Sequence, residues 1–164
     1  MRTMLPLAVA ALTLSACATT RTAAPAPAPA AALRITYDTG ACFGTCPVYS
    51  VTVDTGSGAG EFIGTQHTAA TGITRFQAAQ AQAQAFADAV AELRKIDGEG
   101  IVPGSPRCST LASDMPSVTV TWQAGSERTV KRVDYGCFDA ANKALFARLR
   151  AAPGLLPIAA LIGK

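Results

Sequence analysis

The sequence predicts an α+β domain: an antiparallel sheet of four to five strands in two hairpins, with two main helices packed on one face. Three observations carry this expectation. Two stretches, 47–63 and 118–133, alternate apolar and polar residues on either side of a glycine-bearing turn. One stretch, 76–93, repeats apolar residues at helical spacing. A second, shorter helical run follows Asp139.

The elements follow in order. Leu33 to Tyr37 is a short β-type run. From Pro47 to Val53, Tyr49, Val51 and Val53 take one face and Val48, Ser50 and Thr52 the other, as in a half-buried strand. Asp54 to Gly60 is a turn cluster, and Glu61-Phe62-Ile63 resumes a strand, which makes a hairpin. Thr74 and Gln77 have capping-box spacing. Phe76, Ala79, Ala83, Phe86, Val90 and Leu93 then predict an amphipathic helix of about 20 residues, ending at Asp97-Gly98. Its Gln80 and Gln84 face suits solvent, and the helix is expected to lie on its own sheet. Residues 98–116 read as a long loop holding Pro103, Pro106, Cys108 and Pro116. Val118, Val120 and Trp122 alternate with Thr119, Thr121 and Gln123, Ala124-Gly125-Ser126 turns, and Arg128 to Val133 returns. Asp139 is placed as the N-cap of a helix over 139–151 carrying Leu145, Phe146 and Leu149, which Pro153-Gly154 ends. The apolar tail LLPIAALIG is too short to span a bilayer and is expected to pack on the core or a partner.

A chain of 164 residues suits one globular domain, here 33–164. The formal charge is +3, and removal of residues 1–16 would take Arg2 and leave 13 basic against 11 acidic side chains. So small a bias gives no reason to expect nucleic acid as a partner. Aromatics at 6% are too sparse for a base-stacking platform.

The first 16 residues read as a signal peptide. Arg2 supplies a positive start, and Leu5 to Leu14 form an apolar stretch too short to cross a membrane. Leu14-Ser15-Ala16-Cys17 resembles the lipobox of bacterial lipoproteins at all four positions. That resemblance implies lipidation of Cys17, cleavage before it and acylation of the new N-terminus. Two or more acyl chains anchor a protein stably where one does not. Ala18 after the lipidated cysteine favours the outer membrane by analogy with enteric sorting, with the domain facing the periplasm. Residues 17–32 are the lipidated cysteine and an Ala/Pro-rich stalk, in which Pro25, Pro27 and Pro29 alternate with alanine. Such a stretch favours polyproline II and spans roughly 45 Å when extended.

Setting Cys17 aside leaves Cys42, Cys46, Cys108 and Cys137, an even number, as an exported protein requires for disulfides. Four cysteines permit three connectivities, and sequence alone does not choose among them. The expectation adopted is Cys42–Cys46 with Cys108–Cys137, the first fixing a tight turn and the second closing a long loop.

Residues 42–50, CFGTCPVYS, resemble the signature of the domain of unknown function 6438 (DUF 6438) family at Cys42, Phe43, Gly44, Cys46, Pro47 and Tyr49. The hairpin with Gly60 and Gly64, the central helix and the second hairpin also fit the family outline, over about residues 33–151. The resemblance implies a small bacterial, often exported domain. It brings no catalytic residues, and it implies that the two motif cysteines stay together.

Cys42 and Cys46 invite a thiol–disulfide redox reading, but redox couples place the attacking thiolate at a helix N-terminus. Here Pro47 biases Cys46 away from helical angles, so the motif feeds a strand. Zinc would want four ligands; the four cysteines lack ribbon-like spacing, and His67 is the only histidine, in a polar loop. No G-x-S-x-G elbow is present. Asp88 and Glu92 share a helix face in the manner of a solvated surface, and Arg128 and Arg132 fall on the outer sheet face, opposite Lys131. No catalytic residue, metal ligand or cofactor is assigned. The sequence therefore favours a lipid-anchored envelope module that binds a protein or another envelope component without catalysis. The alternative is a redox protein acting through Cys42 and Cys46.

Overall fold

The computed structural model describes residues 32–163. The expected signal peptide 1–16, Cys17 and the expected stalk up to residue 31 lie outside the described residues. Four strands come first, β1 (Arg34–Thr39), β2 (Val48–Asp54), β3 (Ala59–Gln66) and β4 (Gly72–Gln77), followed by α1 (Gln80–Arg94). The second half holds β5 (Gly100–Ile101), β6 (Ser117–Ala124) and β7 (Glu127–Asp134). A 3-10 turn over Ala140–Asn142 runs into α2 (Lys143–Ala151), a second 3-10 turn covers Ala152–Leu155, and α3 (Ala159–Ile162) closes the order.

The strands form one sheet in the order β4-β3-β2-β1-β6-β7-β5. All pairs are antiparallel except β5, which runs parallel to β7. The α+β class matches the expectation, but the sheet has seven strands and is mixed, where four or five antiparallel strands were expected. The difference is β4 and β5. Gly72–Gln77 carries Ile73, Thr74 and Phe76, which suit a pleated surface, and it pairs with β3 from Gly64↔Gly72 to Ala59↔Gln77. The expected helix start at Thr74 is therefore wrong. Phe76 lies in the strand with its ring over Gly60, where any side chain would overlap it. The helix begins six residues later, with the Ala79 N–H donating to the Gln82 side chain at 2.9 Å. It ends at Arg94, so it has 15 residues. β5 lies inside the expected loop 98–116; two residues leave no periodicity to read.

Alternation places Ile35, Tyr37, Val51, Val53, Phe62, Val118, Val120 and Trp122 on one face, all buried. α1 and α2 cover that face. Ala83, Phe86, Val90 and Leu93 of α1 are buried against it, and Phe86 meets Tyr37 edge to face, ring centroids 6.2 Å apart. Leu145, Phe146 and Leu149 of α2 complete the cluster, and the Tyr37 hydroxyl donates to the Leu149 carbonyl at 2.9 Å. The other face carries Thr36 and Thr52, hydroxyl to hydroxyl at 2.9 Å, and a Glu61–Arg75 pair.

The apolar tail packs on the core: Ile158 and Leu156 are buried, and Ala69 and Ala70 donate to the Ile162 and Leu161 carbonyls. Asp139 precedes the helical run but does not cap it. Its carboxylate is taken by Ser109, whose backbone N–H donates at 2.7 Å. Nor does Pro153 stop the chain's helical path, because its fixed φ suits the 3-10 turn that continues α2. No helix among the described residues is long and apolar enough to cross a membrane.

Candidate functional site

The structure closes two disulfides, Cys42–Cys46 and Cys108–Cys137. Both lie at the end of the sheet where β1 and β7 finish and β2 and β6 begin. The Cys42–Cys46 loop turns through Gly44, whose φ of 138° suits glycine. Pro47 has no N–H to offer the ladder, and β2 shifts register between Val48 and Tyr49. Thr39 repairs the join: its hydroxyl donates to the Pro47 carbonyl at 3.0 Å and accepts the Tyr49 N–H at 2.8 Å. Tyr49 is buried and stacks on Phe62, centroids 5.3 Å apart. Phe43, by contrast, points out of the domain at 89% exposure. Thus Pro47 and Tyr49 of the motif build the strand entrance, and Phe43 is displayed. Cys46 lies two residues before β2, with no helix N-terminus to stabilise a thiolate.

A hydrogen bond from the Phe43 N–H to the Asp114 carbonyl, 3.1 Å, ties this loop to the segment 111–116. That segment is in turn fixed to the second disulfide. Leu111 bridges Cys137, and the Ala112 N–H donates to the Gly136 carbonyl at 2.9 Å. A methyl group at Gly136 would overlap the Ala112 carbonyl, so glycine allows the close approach. Beneath lies Asn142, the buried polar side chain of the core. Its Nδ2 donates to the Arg107 carbonyl at 2.7 Å and to the Cys137 carbonyl at 2.9 Å, and its Oδ1 accepts from Arg107 Nε at 3.1 Å. Disulfide, Asn142 and the Ser109–Asp139 pair hold residues 107–112 rigidly against 136–142.

Between the 111–116 segment and α2 this framework leaves an apolar groove of about 480 Å3. Tyr135 and Phe146 form its floor, rings perpendicular and 5.1 Å apart. Met115 and Phe138 stand at its walls. Lys143 and Arg150 border it from α2, and the Arg150 guanidinium lies 4.2 Å above the Tyr135 ring. Cavities of this size with an apolar lining and a few charged groups are the usual form of a binding site. Burial raises the hydroxyl pKa of Tyr135, with Tyr37 and Arg150 opposing. Burial, then the neighbouring Tyr135, does the same for Tyr37 and Tyr49. These tyrosines stay neutral through the ordinary pH range and serve as packing groups.

The other residues considered from the sequence lie apart. His67 sits in the turn after β3 with a φ of 53°. Asp88 accepts from Gln84 on the exposed face of α1, and Glu92 pairs with Lys95. Among the described residues no group of three or more His, Cys, Asp or Glu side chains is placed to hold a metal ion. The sequence reading missed the groove and Asn142. One signal was available: Lys143, Phe146, Ala147 and Arg150 recur at i, i+3, i+4 and i+7, which puts them on one helix face.

The family model for the domain of unknown function (DUF6438) matches residues 33–153. The chain belongs to the DUF6438 family. The match covers all of β1 to α2, and so both disulfides and the groove. No curated protein matches the chain.

Proposed function

We propose that this chain is a lipid-anchored envelope lipoprotein, acylated at Cys17, whose DUF6438 domain is a non-enzymatic binding module facing the periplasm. The observation that carries the binding role is the concentration of exposed apolar side chains at the disulfide-framed end. Phe43, Phe138, Leu111 and Met115 are 89%, 55%, 53% and 41% exposed, on segments fastened to one another. Large apolar groups displayed around a groove are the mark of an interaction surface. Rigid fastening favours the same reading, because a preorganised surface loses less entropy on binding. The lipobox resemblance and the Ala/Pro-rich stretch support the tether. The stalk joins the domain at residue 32, beside Arg34, and Arg34 pairs with Gln123. The groove lies past the far end of β1, where Gly40 meets Ser117 and Tyr135 meets Pro116. The recognition end therefore faces away from the point of attachment.

Photo-crosslinking in intact cells tests this. A photoreactive residue replaces Phe43, Phe138 or, as a control on the outer sheet face, Arg128. Discrete adducts at Phe43 and Phe138, absent at Arg128, are expected. Adducts at none of the three positions, or the same adducts at all of them, would overturn the proposal.

A further inference from the structure

We infer that the groove between the 111–116 segment and α2 takes an acidic peptide segment, with an apolar side chain over Tyr135 and Phe146 and flanking carboxylates against Lys143 and Arg150. This deepens the binding reading above and rests on it.

Charge decides the class of ligand. Lys143 and Arg150 are exposed, and neither has a carboxylate within 4.0 Å among the described residues. The one acidic residue at the groove, Asp139, stays ionised, because the Ser109 hydroxyl and N–H hold its pKa below the usual carboxylate value; its oxygens are turned to Ser109 and it pairs with neither cation. The Arg150 guanidinium is held over the Tyr135 ring, which positions the charge without neutralising it. Two cations against one carboxylate thus leave the groove net positive beside an apolar floor, the complement of an apolar residue between two acids. Seven helical positions separate them, roughly 10.5 Å along α2. An extended peptide covers that distance in about three residues. The pattern sought is acid, apolar anchor, any residue, acid, or its reverse.

Shape favours a peptide over a bilayer. Tyr135 and Phe146 are buried at the floor while Met115 and Phe138 stand exposed at the walls. A side chain reaches a recessed floor; a flat lipid surface does not. The groove also lies at the end of the domain away from the stalk's attachment.

Selection of a random hexapeptide display library on the full chain in nanodiscs of zwitterionic lipid tests the inference. The selected peptides are then bound to the Lys143→Glu and Lys143→Glu/Arg150→Glu variants; both positions are exposed, and the single variant leaves Arg150 on Tyr135. Enriched peptides should share an apolar residue between acids and lose affinity roughly tenfold with each charge reversal. No enrichment, enrichment without acidic residues, or equal binding to the double variant would overturn it. So would saturable binding of laurate, which marks a small amphiphile, or co-sedimentation of a soluble Cys17→Ser chain with anionic vesicles, which marks a membrane surface. If crosslinks at Phe43 and Phe138 persist while the peptide selection fails, the binding module stands and the acidic-peptide assignment alone falls.

Discussion

Asn142 shows how much a single side chain can organise. It makes three hydrogen bonds in a fully buried position and joins Arg107, Cys137 and the start of α2. Truncation to alanine strands the buried Cys137 carbonyl and the part-buried Arg107 carbonyl, so Asn142→Ala should cost about 2–3 kcal/mol in urea unfolding. Gly64 is constrained by its surroundings: a methyl there would overlap the Ala70 carbonyl and the Thr68 hydroxyl. Gly64→Ala should destabilise by about 1–3 kcal/mol by the same measurement. The three tyrosines, Tyr37, Tyr49 and Tyr135, are all buried with raised pKa. The folded state keeps their protons above the ordinary value of 10.0, while the unfolded chain releases them. Their contribution to stability is thus complete below about pH 10 and declines above it. Tyrosinate absorbance should appear together with unfolding in an alkaline titration. A gradual rise near pH 10 in a still-folded chain would contradict the burial.

At the scale of elements, the two disulfides divide their work. Cys108–Cys137 spans 29 residues and Cys42–Cys46 spans 4. Chain-entropy estimates give about 3.6 kcal/mol for the longer loop and about 2 for the shorter. Paired serine substitutions should reproduce that order in thermal unfolding, with Cys108→Ser/Cys137→Ser the more damaging. Strands with strict alternation were legible in the sequence: β2 and β6 bury every second residue along their length. α1 was legible in its middle, where Ala83, Phe86, Val90 and Leu93 keep helical spacing. Its start was not. Thr74 and Gln77 mimic a capping box, and Phe76 and Ala79 extend the helical spacing by coincidence. The pairing of Ile73 and Phe76 with β3 outweighs both. β5 was illegible because only its docking on β7 makes it a strand. Only the α2 side of the groove left a signal, the 143, 146, 147 and 150 face; the rest was illegible because floor and walls come from positions 112 to 150, brought together by the second disulfide and by α2.

At the scale of the whole described domain, the structure is a half-covered sheet whose two ends differ. One end carries the entry from residue 32, and the other carries both disulfides, the displayed Phe43 and the groove. Tethering through Cys17 and the Ala/Pro-rich stretch would present that far end to the periplasm, beyond the lipid headgroups. Such an arrangement requires two covalent features, the proposed acyl chains on Cys17 and the closed disulfides of the folded domain. Mass mapping of the chain from cells decides both, with acid trapping and alkylation before and after reduction. A lipid-anchored, stapled binding module should give an N-terminal peptide starting at acylated Cys17, with Cys42, Cys46, Cys108 and Cys137 fully oxidised in two fixed pairs. An unacylated Cys17 would contradict the tether, and Cys42 and Cys46 found partly reduced or in mixed disulfides would put thiol–disulfide chemistry in place of binding.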